Sequence, residues 1–210
     1  MTLLYLVRHG ETDWNRSRRI QGVTDIPLNQ TGRAQAARAG ALLARRPWDA
    51  IVASTLSRAF ETAQIIAGEV RLPEPAPMAE FVERDYGEAE GLDDQELARR
   101  YPPRTPIPGR ESREQVAARV MPALDGLAAA HPRQSLIVVT HGAVIRTVLD
   151  EVAPGSLHVG VPITNGSIHS FRHIDGSLEL IAFDDPIDIA SVEPGAADVR
   201  EQNPVERREG

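Results

Sequence analysis

The sequence predicts an α/β fold with three layers, in which a mostly parallel central sheet lies between two layers of helices and ends in a C-terminal hairpin. Two unbroken apolar runs, Leu3 to Val7 and Leu136 to Val139, have the composition of strands that are buried on both faces. Segments with the pattern of helices lie between these runs. Two later strand-like runs, joined through Asp175 and Gly176, predict the hairpin.

The first half of the chain alternates between strand and helix patterns after the opening strand. A long polar loop, Glu11 to Gln30, comes first, and loops of this length in compact domains are usually functional or mobile. Thr31 can cap the helix that follows, which should run to about Arg45. A short strand is predicted at Asp49 to Ala53, and a second helix at Arg58 to about Val70.

The middle of the chain contains a Pro-rich connector and two capped helices. The connector leads to a predicted short strand, Met78 to Val82. Asp93 with Glu96 has the spacing of a capping box, which predicts a short helix to about Arg100. Four prolines then prevent regular structure: Pro102, Pro103, Pro106 and Pro108.

A second capping box, Ser112 with Gln115, predicts a helix to about Ala130 that Pro122 should kink. After the strand that ends at Val139, the pattern predicts a helix over Ala143 to Asp150. The strands of the hairpin are expected at Ser167 to Phe171 and Ser177 to Phe183.

Two units are predicted, a catalytic domain at residues 1–185 and a polar tail at residues 186–210. The tail is interrupted by Pro and Gly, so we expect it to be flexible or to dock on the surface.

Composition excludes several classes of partner. The chain has 210 residues and 41% hydrophobic content, and no stretch is long and apolar enough to span a bilayer. A net charge of -7 argues against nucleic acid and anionic membranes. The first residues form a core strand rather than a secretory signal, and there is no cysteine, so we expect a cytoplasmic protein.

The residue types that are missing limit the chemistry more sharply. All 23 basic residues are Arg, which excludes Walker-type P-loops and Lys Schiff bases. The absence of Cys excludes thiolate nucleophiles, and neither G-x-S-x-G nor H-E-x-x-H occurs. Imidazole, carboxylate and guanidinium groups remain as the reactive side chains.

Both apolar runs end in a histidine followed by glycine. The first ends in Arg8, His9 and Gly10, and the second in Thr140, His141 and Gly142. Ligands bind at the carboxyl ends of strands in open α/β sheets, so the matched pair favours a site there. For Arg8 and His9 alone, an ordinary strand-end charge and a solvated loop histidine would be an equally good interpretation.

Arg58 is an independent indication of an anionic ligand. The helix macrodipole opposes a cation in the first turn by roughly 0.3 to 1 kcal/mol, so structure alone gives no reason for an arginine there. Phosphate bound at the helix N-terminus would give one. The alternative is an exposed arginine that the helix tolerates.

A general acid is harder to identify. Five carboxylates lie close together after the connector, and most acidic residues are simply solvated. The position of Glu83 directly after a short apolar run favours it among them.

The run Leu6 to Asn15 resembles the signature of the histidine phosphatase superfamily, the phosphoglycerate-mutase-like proteins. Further stretches match in the family's order along most of the chain: Gly22 to Asn29, Ser54 to Ala59, Thr62-Ala63, Glu83 with Tyr86-Gly87, Gly109 to Ser112, Val139 to Gly142, and Thr164 to Ser167. The resemblance implies a phosphatase that works through a phosphohistidine.

By this resemblance His9 is the nucleophile and Glu83 is the proton donor. Arg8, Arg58 and His141 would form the phosphate pocket, and these five residues make up the implied catalytic set. Further ligand contacts are implied at Asn15, Gln21, Gly22 and Gly142. We expect a small phosphorylated substrate and no cofactor or metal, with a homodimer as an open alternative.

The compact segment between Glu83 and His141 favours the small phosphatase branch over the mutases, whose insertion is larger. Ala89 departs from that branch, where Trp is common, so substrate preferences do not carry over. Two other classes stay open: a metal site built from His9, His141 and carboxylates, and a noncatalytic phospholigand-binding module. The arginines beside the histidines oppose a metal cation. The remaining histidines match no catalytic element and are expected to be structural: His131, His158, His169 and His173.

Overall fold

A computed structural model describes residues 1–155, 158, 160–185 and 187 of the chain. Its sheet has six strands in the order β3-β2-β4-β1-β5-β6. The strands are β1 (Thr2–Arg8), β2 (Ala50–Ser54), β3 (Ala76–Met78), β4 (Ser135–Thr140), β5 (Ile168–Ile174) and β6 (Ser177–Ala182). The first four run parallel to one another, and β5 and β6 form an antiparallel hairpin beside β1.

Six α-helices accompany the sheet within the described residues. They are α1 (Asp13–Arg16), α2 (Gln30–Leu43), α3 (Ser57–Val70), α4 (Asp94–Arg100), α5 (Arg113–Ala130) and α6 (Gly142–Val152). The predicted capping boxes that open α4 and α5 are both present. Helix α5 continues through Pro122 to Ala130.

Alternation along β1 divides the core between the two faces of the sheet. Tyr5 and Val7 belong to a cluster that includes residues of α2 and α3, whereas Leu4 and Leu6 belong to a cluster with residues of α5 and α6. Side chains of a strand point alternately to opposite faces, so helices cover both sides. The predicted three-layer α/β/α fold is confirmed.

The register of β1 and β4 decides where the site lies. Val7 pairs with Val139 and Arg8 pairs with Thr140 in the parallel ladder. His9 and His141 therefore leave the sheet at the same edge and at the same level. The predicted hairpin is also confirmed, and its turn places Asp175 and Gly176 at φ values of 50° and 79°.

Three predicted boundaries were wrong. The first strand of the hairpin ends at Ile174 rather than at Phe171. Helix α2 is capped by Asn29 rather than Thr31, because the Asn29 side chain accepts from the Gly32 amide at 2.9 Å. The Asn29 amide also donates to the Glu11 carbonyl at 3.0 Å, and the backbone of Asn29 itself is extended.

The predicted strand Met78 to Val82 lies earlier, as β3, and a 3₁₀ turn occupies Ala79–Phe81. As an edge strand, β3 tolerates Pro77 because one side of its backbone needs no ladder partner. The long loop also contains α1, whose capping box of Thr12 and Asn15 the sequence analysis did not identify.

None of the helices in the described part of the chain combines the length and apolar composition that a bilayer-spanning helix requires. The predicted tail at 186–210 lies outside the described residues apart from Ile187.

Candidate active site

The two histidines that follow β1 and β4 lie side by side at the carboxyl edge of the sheet. Their ring centroids are 5.1 Å apart and the ring planes are inclined by 60°. His9 is 2% exposed and His141 is completely buried. The alternative of a solvated loop histidine is therefore excluded for His9.

The hydrogen bond of His9 determines which of its nitrogens can react. Nδ1 lies 2.7 Å from the carbonyl oxygen of Gly10, and because a carbonyl can only accept, Nδ1 carries the proton. Burial holds the pKa of His9 well below its ordinary value, and the charges of Arg58 and Arg8 lower it further. The ring is thus neutral at pH 7, with a lone pair on Nε2.

Several backbone contacts hold His9 in place. Its amide donates to the Thr140 carbonyl at 2.9 Å, and its carbonyl accepts from Nδ2 of Asn165, also at 2.9 Å. Gly10 is required by a close approach to helix α2, since a Cβ there would lie 2.2 Å from the carbonyl oxygen of Gly32.

His141 is oriented by Ser54 at the end of β2. The Ser54 hydroxyl lies 2.7 Å from Nε2, and it also accepts from the Leu56 amide at 3.3 Å. Nδ1 is buried without a hydrogen-bond partner in the described part of the protein. Burial, followed by the charge of Arg58, keeps the pKa of His141 well below its ordinary value. A neutral ring whose Nε2 accepts from Ser54 presents a protonated Nδ1 as a donor for a ligand.

Arg8 is the last residue of β1 and is 5% exposed. Its Nη1 donates to the carbonyl of Ile163. Gly142 opens helix α6 beside it, and a Cβ on Gly142 would lie 3.4 Å from Arg8 Nε. That distance is an ordinary van der Waals contact, so the guanidinium lies against the first turn of α6.

Arg58 lies in the first turn of α3 and is completely buried, so it is not an exposed arginine that the helix tolerates. Its guanidinium donates to the carbonyl oxygens of Gly22 at 2.7 Å and Thr24 at 3.1 Å. The amide oxygen of Gln21, when turned toward Arg58, accepts from Nε at 2.9 Å and Nη1 at 3.0 Å. Burial lowers the pKa of Arg58 to about 10, which leaves it charged at neutral pH.

Glu83 differs from the other carboxylates between residues 80 and 90 because it alone is buried, at 5% exposure. Its Oε1 accepts from the Arg84 amide at 2.9 Å, and its Oε2 accepts from the Ala143 amide in the first turn of α6 at 3.3 Å. Burial raises the pKa of Glu83, and this effect exceeds the opposing effects of the two amides, Arg58 and Arg8.

The residues that the resemblance implied as further contacts lie around these groups. Gln21 and Gly22 bind Arg58 through their oxygen atoms. Asn15 is buried, and its Oδ1 accepts from the Thr12 amide and from Asn165. Gly142 stands at the N-terminus of α6, where backbone amides favour anions.

Three polar residues of this region received no role from the sequence. Ser54 contacts His141, and Asn165 holds the carbonyl of His9. Thr62 accepts from the Gly10 amide and donates to the carbonyl of Arg58, and thus links the loop after β1 to helix α3. Thr62 follows Arg58 by four residues on the same helix face, so its spacing was a usable signal.

The other four histidines have partners elsewhere in the fold. His131 contacts Gln134, His173 lies 3.2 Å from Asp125, and the rings of His158 and His169 both contact Phe183. Within the described residues, no group of three His, Asp or Glu side chains is arranged to hold a metal ion.

Comparison with known proteins places this geometry in a family. A sequence profile of the histidine phosphatase superfamily (branch 1) matches residues 4–186. The phosphatase PhoE of Bacillus subtilis, described as uncharacterized, is 44% identical over 155 residues, which cover 74% of this chain and 79% of PhoE. A 2,3-bisphosphoglycerate-dependent phosphoglycerate mutase of Rhizobium etli is 34% identical over 165 residues, covering 70% of this chain and 78% of the mutase.

A solved structure of a mycobacterial glucosyl-3-phosphoglycerate phosphatase superimposes with a TM-score of 0.79 at 26% identity, covering 87% of this chain and 98% of that one. Phosphatases and mutases are thus both among the relatives. The profile spans nearly all of the described residues, and so the chain belongs to branch 1 of the histidine phosphatase superfamily.

Proposed function

We propose that the protein is a phosphomonoesterase that hydrolyses a small phosphorylated metabolite through a phosphohistidine on His9. The observation that carries this proposal is the neutral His9 ring, with its proton held on Nδ1 by Gly10, beside two buried arginines. The site therefore places the lone pair of His9 Nε2, the nucleophile, close to positive charge. Phosphoryl transfer depends mainly on positioning and on stabilising the charge of the equatorial oxygens.

In the first step, Arg8, Arg58 and the protonated Nδ1 of His141 bind the phosphoryl oxygens. The lone pair of His9 Nε2 attacks phosphorus in line with the ester oxygen. The N–P bond forms as the P–O bond breaks, and Glu83 gives its proton to the departing oxygen. A carboxyl group with a raised pKa suits this role.

In the second step, water attacks the phosphohistidine. The Glu83 carboxylate takes a proton from the water, the new P–O bond forms, and the N–P electron pair returns to Nε2. Inorganic phosphate leaves, and both His9 and Glu83 recover their starting protonation states. Gly142 and Asn15 are proposed as further contacts to the phosphate, whereas Gln21 and Gly22 act through Arg58.

We propose that the leaving group occupies a cavity that Glu83 lines. This cavity of about 490 Å³ has mixed apolar and polar walls, formed by Val23, Val82, Glu83, Asp85, Gly109, Arg110, Glu111, Gln115 and Arg119. Pockets for small ligands are commonly about 300 to 1,000 Å³. The volume of this cavity fits the leaving group of a small metabolite. Phosphate release measured with a panel of phosphorylated metabolites would identify the class of substrate.

Hydrolysis should exceed isomerisation by a wide margin. The similarity to a mutase makes phosphoglycerate mutase activity the second candidate function. The segment between Glu83 and His141 consists mainly of α4, α5 and β4, which leaves little chain to enclose a bisphosphorylated intermediate. Phosphate release and interconversion of 2- and 3-phosphoglycerate should be measured together, with and without the bisphosphate. Efficient interconversion primed by the bisphosphate would make the protein a mutase.

Activity should survive treatment with a chelator. The guanidinium groups of Arg8 and Arg58 supply the charge that a metal would supply in other phosphatases, and they would repel a cation between the two histidines. Turnover of 4-nitrophenyl phosphate should be compared before and after incubation with EDTA. Loss of turnover that a divalent metal then restores would show that this assignment of the pocket is wrong.

A further inference from the structure

The segment that carries Glu83 is held by one side chain of helix α5. Arg119 makes five hydrogen bonds, as many as it has N–H donors. Three go to backbone carbonyls of this segment: those of Glu80 at 2.6 Å, Val82 at 2.8 Å and Glu83 at 3.2 Å. The chain that leads into Glu83 is thus held by the Arg119 guanidinium, together with the Thr140 hydroxyl, which donates to the Phe81 carbonyl at 2.8 Å.

Glu111 completes the arrangement from the other side. Its two carboxylate oxygens accept from Nε and Nη2 of Arg119 at 2.8 Å and 3.1 Å. The carboxylate also accepts from the Asp85 amide at 3.2 Å, and the Glu111 carbonyl accepts from Nε of Arg84 at 2.8 Å. The residues before and after Glu83 are therefore tied to the same Arg–Glu pair.

Arg119 and Glu111 form a charge-balanced pair near the start of α5. The capping box of Ser112 and Gln115 sets the start of α5, and Arg119 lies within the second turn of that helix. The side chains of Arg119 and Glu111 are 22% and 18% exposed, which protects their pairing from full solvent screening. Because Glu111 balances the charge, Arg119 can hold the backbone without placing an uncompensated cation beside the acid.

We propose that Arg119, paired with Glu111, is a positioning residue for the general acid: it fixes the backbone of residues 80–83 so that the Glu83 carboxyl reaches the departing oxygen. This inference rests on the proposed function, in which Glu83 is the proton donor. A lysine cannot replace the guanidinium, because a single ammonium group has three donors and cannot bind three carbonyls and a carboxylate in one plane.

Arg119→Lys should slow turnover of 3-phosphoglycerate, an alkyl ester, by about 10²-fold in kcat/KM, the size expected when a reacting group is displaced by about 1 Å. The kcat/KM for 4-nitrophenyl phosphate should fall by less than about threefold, because its leaving group needs little protonation in the first step. Arg172→Lys, which changes an Arg–Glu pair on the C-terminal hairpin, is the matched control and should leave both rates unchanged.

A double-mutant cycle separates positioning from a general loss of stability. In the Glu83→Gln background, Arg119→Lys should cause no further loss with the alkyl ester, since the group that it positions is already inactive. Full additivity, or an equal loss with both esters in the single variant, would overturn the inference.

If the Arg119→Lys protein does not fold, Glu111→Gln is the substitute test variant. Glu111→Gln weakens the ion pair with Arg119 and leaves the contacts of Arg119 with the backbone possible. It should show the same selectivity for the alkyl ester at smaller size, and an equal loss with both esters would count against the inference. If 3-phosphoglycerate is not a substrate, the alkyl ester that the metabolite panel identifies takes its place; if the wild-type protein hydrolyses no ester of the panel and no aryl phosphate, the proposed function itself fails, and this inference fails with it.

Discussion

Replacing His9 with alanine should abolish turnover and the covalent intermediate together. Nε2 of His9 is the atom that the proposed mechanism phosphorylates, and its lone pair is available because Nδ1 holds the ring proton against the Gly10 carbonyl. Alanine removes this atom but leaves the two arginines and Glu83 in place. We expect kcat to fall by at least about 10⁴-fold, as is typical when a nucleophile is deleted.

Rapid quench with ³²P-labelled 3-phosphoglycerate or an equivalent substrate would locate the phosphorus. The wild-type protein should carry acid-labile label on His9, and the His9→Ala protein should carry none. His131→Ala is a suitable control, because His131 contacts Gln134 at the end of α5 and should not affect labelling. Label on His141, or on no histidine, would refute the assignment of the nucleophile.

The positions of both histidines could be predicted because they depend on local sequence and one rule of topology. Each apolar run ends at a polar pair, and parallel strands deliver their carboxyl ends to one edge. The register of Arg8 with Thr140 follows from this arrangement. Arg58 was predictable for a different reason, since a cation in the first turn of a helix needs a compensating ligand or partner.

The residues that hold these site residues in position could not be predicted in the same way. Arg119 reaches Glu83 across 36 residues of sequence, and Asn165 reaches His9 across 156. No spacing or periodicity links such pairs, since their contacts arise only when separate elements pack. Glu83 itself could be favoured over its acidic neighbours only by position, whereas the structure distinguishes it by burial.

The N-cap residue of helix α2 also could not be predicted from the local sequence. Asn29 and Thr31 are both good N-cap residues, so local preference did not decide between them. The decision came from Glu11, whose carbonyl accepts from the Asn29 amide and whose carboxylate accepts from the Asn29 side chain at 2.8 Å. A boundary set by a tertiary contact lies beyond what local propensity can resolve.

Replacing Glu83 with glutamine should slow alkyl esters far more than aryl esters. The amide has nearly the same shape, and its single oxygen can keep one of the two contacts that the carboxylate oxygens make with the Arg84 and Ala143 amides, but it cannot release a proton to a departing alkoxide. The expected loss with 3-phosphoglycerate is about 10² to 10⁴-fold in kcat/KM. With 4-nitrophenyl phosphate the loss in kcat/KM, which reports the first step, should be small, because nitrophenolate leaves without protonation. The kcat for both esters should fall, because Glu83 is also the base of the second step.

The pH dependence of kcat/KM is a second test of Glu83 as the general acid. Acid catalysis needs Glu83 protonated, so kcat/KM for the alkyl ester should fall as pH rises through the raised pKa of Glu83. It should also fall at low pH, where His9, whose pKa is lowered, becomes protonated. Glu83→Gln should remove the fall at high pH and keep the fall at low pH.

Glu88→Gln is the matched control, because Glu88 is an exposed carboxylate of the same segment that bonds Arg100 and Tyr101. Its rates and its pH profile should follow those of the wild-type protein. If Glu83→Gln lowers kcat/KM equally for both esters and the fall of kcat/KM at high pH persists, Glu83 is not the acid. The proton must then come from another carboxylate of the segment, and Asp85, which lines the leaving-group cavity, would be the next to replace.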